Sequence, residues 1–175
     1  GQLYYDSDGV GIFKFVGPQS SAWASGGNLS TARQGLLGAG IQTAGLVAGG
    51  EGAPPGGISQ GAKTEEYNGS SWSEQNDMNT AKTTAAGLGI QTAALAAGGI
   101  APPGTFALTE KYNGTSWTEV NDMNTARTSL AGSGVDTAGL IFGGLVGSTL
   151  QALTEEFDGT SWTELNDLAT ARGNT

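Results

Sequence analysis

The chain has 175 residues, with 16 Asp and Glu against 7 Lys and Arg, a net charge of −9, and neither histidine nor cysteine. So few cations argue against nucleic acid as a partner, since neutralising phosphates takes clustered Lys and Arg. Without imidazole or thiol there is no Ser-His-Asp or Cys-His nucleophile, no disulfide, and no zinc or copper site of the usual ligands.

Residues 1–21 read as an N-terminal β-hairpin module. Gln2 to Gly9 and Gly11 to Val16 form two strands joined by a polar turn. Within it, Asp6-Ser7-Asp8-Gly9 opens like a calcium loop but lacks the third acidic position and the distal glutamate, so no metal is expected. The start has no basic-then-apolar leader, and no apolar run approaches a membrane span.

From residue 22 to 175 the chain repeats itself. Trp23, Trp72, Trp117 and Trp162 are spaced 49, 45 and 45 residues apart, and a fixed frame surrounds each. An aromatic precedes three of them, as Tyr67, Tyr112 and Phe157, and a basic residue preceded by Thr-Ala follows each, as Arg33, Lys82, Arg127 and Arg172. Further on come the pairs Gly49-Gly50, Gly98-Gly99 and Gly143-Gly144. Thirty-one glycines interrupt every apolar i, i+3, i+4 pattern, which disfavours helices and leaves short strands.

Three full units of four antiparallel strands follow, about residues 34–78, 83–123 and 128–168. In the second, the pattern predicts strands at Thr83 to Gly89, Thr92 to Ala97, Ala107 to Tyr112 and Ser116 to Val120. Asn113-Gly114 between the last two predicts a tight hairpin with positive φ at both residues. Small residues such as Ala85-Ala86-Gly87 let the inner strands crowd together, and Pro54-Pro55 and Pro102-Pro103 keep the variable connections out of ladders.

Four strands per repeat, Gly-Gly after an apolar strand, then an aromatic, then a tryptophan, resembles the kelch repeat of β-propellers. The carrying residues are Leu140 to Gly144, Phe157, Trp162 and Leu168 to Arg172, the last resembling the kelch Met-Pro-x-x-Arg turn without its proline. The resemblance implies an all-β fold of kelch-like propeller blades. Three blades do not close a ring, so closure falls to oligomerisation, for example two three-blade halves, or to the remainder of a longer polypeptide. Gly1 at the start, and a stop at Thr175 where a fourth inner strand would begin, fit the second case.

Residues 2–9, and the near-identical repeats such as Tyr112 to Glu119, also resemble modules of marine and cyanobacterial phage tail-fibre and virion structural proteins. That resemblance implies a non-enzymatic virion component, made in the host cytoplasm, with other virion proteins as partners. Catalysis would break the repeat, and the non-repeating acids Glu51, Asp136, Asp6 and Asp8 show no sign of converging as the two carboxylates of a glycosidase. Recurring pairs such as Asn76-Asp77 and Asn121-Asp122 read as turn formers. The four basic residues read as donors to carbonyls between blades. As a functional alternative they form, with Glu51 and Phe106, a candidate ligand face for a host-surface glycan. A rival reading is a cellular or secreted kelch-type module, extracellular or on the cell surface, whose loops grip a partner protein.

Overall fold

The computed structural model describes residues 26–52 and 61–173, together with the backbone of β1 (Leu3–Tyr4) and β2 (Lys14–Phe15), which pair antiparallel. Trp23, Asp6, Asp8, Pro54 and Pro55 lie outside the described residues.

The repeat frame becomes three four-stranded antiparallel sheets, and no helix occurs among the described residues. Unit 1 is β4 (Leu37–Ile41), β5 (Ala44–Ala48), β7 (Thr64–Tyr67) and β8 (Trp72–Gln75); here β3 (Arg33–Gln34) and β6 (Glu51–Gly52) pair separately. Unit 2 is β9 (Ala86–Ile90), β10 (Ala93–Ala97), β13 (Thr109–Tyr112) and β14 (Trp117–Val120). Unit 3 is β15 (Ala131–Val135), β16 (Ala138–Phe142), β19 (Thr154–Phe157) and β20 (Trp162–Glu164). In each, strands pair in chain order, so every unit is an up-and-down meander.

The inner strands stack side by side, with β9 between β4 and β15, and among the described residues the sheets do not close into a ring. Glycine sets this approach: a Cβ on Gly87 would lie 2.6 Å from the Gly38 carbonyl oxygen. Alternation then points one side of each strand into the joints between units. Leu37, Leu46, Tyr112 and Trp117 form the core between units 1 and 2, and Leu88, Leu95, Ile141, Phe157 and Trp162 that between units 2 and 3.

Three local expectations need correction. The inner strand of unit 2 begins at Ala86 rather than Thr83, because Thr84 has φ 55° and the Thr83 backbone bonds instead to Ile100. The hairpin after Tyr112 spans four residues between the Tyr112 and Trp117 pair, and only Gly114 has positive φ. The Asn113 side-chain oxygen accepts from the Thr115 and Ser116 N–H groups, both at 2.9 Å, and Asp158 accepts the same two bonds in unit 3 at 2.8 Å. These backbone donors hold the exposed Asp158 carboxyl below the usual range. Finally, the variable connections do contain ladders: β11 (Ile100–Ala101) pairs with β12 (Gly104–Thr105) around Pro102-Pro103, and β17 (Leu145–Val146) with β18 (Thr149–Leu150).

Candidate functional site

The structure puts three of the four basic residues of the repeat, Arg33, Lys82 and Arg127, in the interior. Arg127 donates through Nη1 to the carbonyls of Gly143 (2.7 Å) and Leu153 (2.8 Å), and through Nη2 to Glu155 Oε1 (2.7 Å), with both side chains fully buried. Arg33 makes the same three contacts with Gly49, Lys63 and Glu65 in unit 1. Lys82 reaches the carbonyls of Ala96 and Leu108 and the Glu110 carboxylate, each at 3.4 Å. Burial pushes the Lys82 ammonium below the ordinary lysine range, and Glu110 opposes that. None of the three offers a donor to a ligand in solution.

Lys82 and Arg127 also tie two units together. The Gly50 N–H donates to the Lys82 carbonyl (3.0 Å) and the Gly99 N–H to that of Arg127 (2.9 Å), so the main chain is held by one unit while the side chain sits in the next. The paired glycines make this possible. Gly98 and Gly99 have φ of 70° and 98°, and a Cβ on Gly98 would meet the Arg127 carbonyl oxygen at 2.7 Å. Gly49-Gly50 and Gly143-Gly144 repeat the geometry.

Opposite each base stands a glutamate that the sequence reading passed over. Glu65, Glu110 and Glu155 are buried, and their second oxygens accept from connector backbone: Ser30 N–H (2.8 Å), Asn79 N–H (2.7 Å) and Asn124 N–H (2.7 Å). The signal was available, because a Thr-Glu pair precedes the aromatic in every unit just as a base follows every tryptophan.

The tryptophans work across units. Trp117 Nε1 donates to Thr64 Oγ1 (2.9 Å) and Trp162 Nε1 to Thr109 Oγ1 (3.1 Å). Each packs on its own aromatic, Tyr112 or Phe157, with centroids 5.0 Å apart, as Trp72 does on Tyr67. Asn76 and Asn121, expected only to form turns, donate across to the Thr115 and Thr160 carbonyls at 2.8 Å.

At one position the two joints differ. Tyr112 donates to Glu66 (3.0 Å) at the first, whereas the second has Phe157 without a hydroxyl and Lys111 in place of the glutamate, paired with Asp136 at 2.7 Å. Burial, then the Glu66 contact, pushes the Tyr112 phenol above its ordinary range.

The rest of the candidate face is open. Arg172 is exposed and has no carboxylate partner among the described residues, its Nε donating to the Thr170 carbonyl at 3.3 Å. Glu51 accepts from Gln34 Nε2 (2.7 Å), and Phe106, directly after β12, is half-buried with its N–H donating to the Gly99 carbonyl (2.8 Å). Glu51, Thr83, Ile100 and Pro102 line a shallow hollow of about 380 Å³. The variable hairpins and the connectors do share a face, through the β3–β6 pair and the Thr83–Ile100 and Thr128–Leu145 bridges. Among the described residues no group of three acidic side chains is placed to hold a metal ion. No protein-family model matches the chain, and no curated protein matches it either.

Proposed function

We propose that the chain is a non-enzymatic structural component of an assembly, a virion appendage segment of the tail-fibre kind built of kelch-like blades, with a recognition face on its variable hairpins. One observation supports this reading: the repeated basic residues Arg33, Lys82 and Arg127 are paired with glutamates in the interior of the units, while the hairpins that vary from unit to unit project together from one face. A scaffold spends its polar groups on rigidity and varies its loops for contact.

In the host-binding form of this reading a surface glycan contacts Glu51, Phe106, Arg172 and the hairpin tips. A second reading, a protein–protein module, is favoured by Ile100, Val146 and Leu150, which expose aliphatic rather than hydrogen-bonding surface on those hairpins. A glycan array probed with the labelled chain tests both. Selective retention, lost when Glu51, Phe106 and Arg172 are changed to Ala, supports a glycan face. An empty array removes it and leaves the scaffold and protein-contact readings to binding assays on host-surface protein.

A further inference from the structure

We infer that the free face of unit 3 is a socket for the Tyr67–Trp72 edge of a second copy of this chain, joining copies head to tail through the same joint that connects units 1 and 2. The inference rests on the scaffold reading and names the contact by which the scaffold extends.

The socket is half-built. In the two joints within the chain, Thr64 and Thr109 each accept from a tryptophan of the following unit. Thr154 is their equivalent; its hydroxyl is buried, and among the described residues it has no hydrogen-bond partner. A buried hydroxyl without a partner is unfavourable, and the repeat itself names the missing donor, an indole N–H. Beside it, an open hollow of about 510 Å³ bordered by Gly139, Glu156 and Phe157 lies where the next unit would pack.

The plug is at the other end. Tyr67 and Trp72 are only half-buried, whereas their equivalents Tyr112 and Trp117 are buried. The two joints inside the chain also supply a code for what fits. A tyrosine meets a glutamate at the first, as Tyr112 meets Glu66; at the second a phenylalanine accompanies the Lys111–Asp136 pair. The free ends carry Glu156 on the socket and Tyr67 on the plug, with Gln42 at the position of Gln91, which donates to the Gly45 and Tyr67 carbonyls in the first joint. All three match the first type and none matches the second.

A joint has room for one connector, so a second copy arriving with its own Leu29–Arg33 must displace Leu168–Arg172. The displaced one is the weaker: Arg33 is already seated on Glu65, while Arg172 is exposed and without a carboxylate among the described residues.

The experiment uses the type code as its control. Light scattering and sedimentation across a concentration series are run on the full 17.5 kDa chain and on Thr154→Val, Glu156→Lys and Gln42→Asp/Tyr67→Phe. Circular dichroism checks that each variant keeps its fold. Each variant alone should self-associate about tenfold or more weakly, as expected when a buried polar group loses its partner. An equimolar mixture of Glu156→Lys with Gln42→Asp/Tyr67→Phe should recover association, because one of its two contacts then copies the Lys111–Asp136–Phe157 joint and the other is native. Assembly of the wild type that ignores these changes, or a folded mixture that fails to recover, overturns the inference and leaves the scaffold reading standing. A wild type that stays at 17.5 kDa throughout overturns self-assembly as well.

Discussion

Arg127 and Glu155 have each given up water entirely, so either alone would be a charge stranded in the interior. Breaking such a pair is far costlier than replacing it. Arg127→Ala is expected to destabilise the chain by about 3–5 kcal/mol in urea unfolding, while Arg127→Met with Glu155→Leu recovers only part of the loss, since the Gly143 and Leu153 carbonyls and the Asn124 N–H are left without partners. Lys82→Met should cost less than Arg127→Met, since its contacts at 3.4 Å are longer than the arginine's at 2.7 to 2.8 Å. Tyr112 supplies a prediction in pH. Its phenol is raised above the ordinary 10.0 in the folded state, so the stability it contributes is whole below pH 10.0 and is lost as pH rises through the folded value. Tyr112→Phe should therefore flatten the decline in stability above pH 10.0. Phenolate absorbance of the folded protein just above that pH should be the same with and without the substitution, because Tyr112 is still protonated there.

At the scale of elements, backbone handedness decides which substitutions the joints accept. Gly99 has φ 98°, and a Cβ there would lie 2.8 Å from the Thr83 carbonyl oxygen, so Gly99→Ala should cost roughly 2–3 kcal/mol. Ser129 is the reverse case. It holds φ 55° where unit 1 has Gly35 at 63°, so Ser129→Gly should raise stability by roughly 0.5–1 kcal/mol, the relief of a left-handed L-residue exceeding the entropy of glycine. Thermal melts of the two variants check both signs. The same comparison explains what could be read beforehand. Strands and their order were legible because alternation and Gly-Gly recur in each unit. The strand start at Ala86 was not, because Thr83-Thr84-Ala85 has β propensity while a contact distant in sequence, Thr84 N–H to the Gly35 carbonyl (2.7 Å), imposes the turn. The bases were legible as donors to carbonyls, but their glutamates were hidden among residues that look like a solvated strand face. The Tyr112–Glu66 and Lys111–Asp136 exchange becomes meaningful only once neighbouring units are placed side by side.

For the whole molecule, stability is set by how many joints a unit shares. Chains of repeats behave as a sum of unit and neighbour terms, so the unit with two neighbours is held most firmly. Unit 2 has both: Ala94 to Ala97 of β10 are all fully buried, whereas β15 of unit 3 is exposed at Ala131, Ser133, Gly134 and Val135. Amide hydrogen exchange should therefore rank β10 slowest and β15 and β20 fastest, with β5 between them, since local opening follows local contact. Equal protection across the three units would mean that the chain opens only as a whole and that its joints are stronger than its units. Concentration sharpens the test. If a second copy seats on unit 3, exchange at β15 and β19 slows as protein concentration rises while β10 does not change. The protection gradient is then a property of the free end rather than of the unit 3 sequence, and Thr154→Val should move its loss to about tenfold higher concentration or beyond.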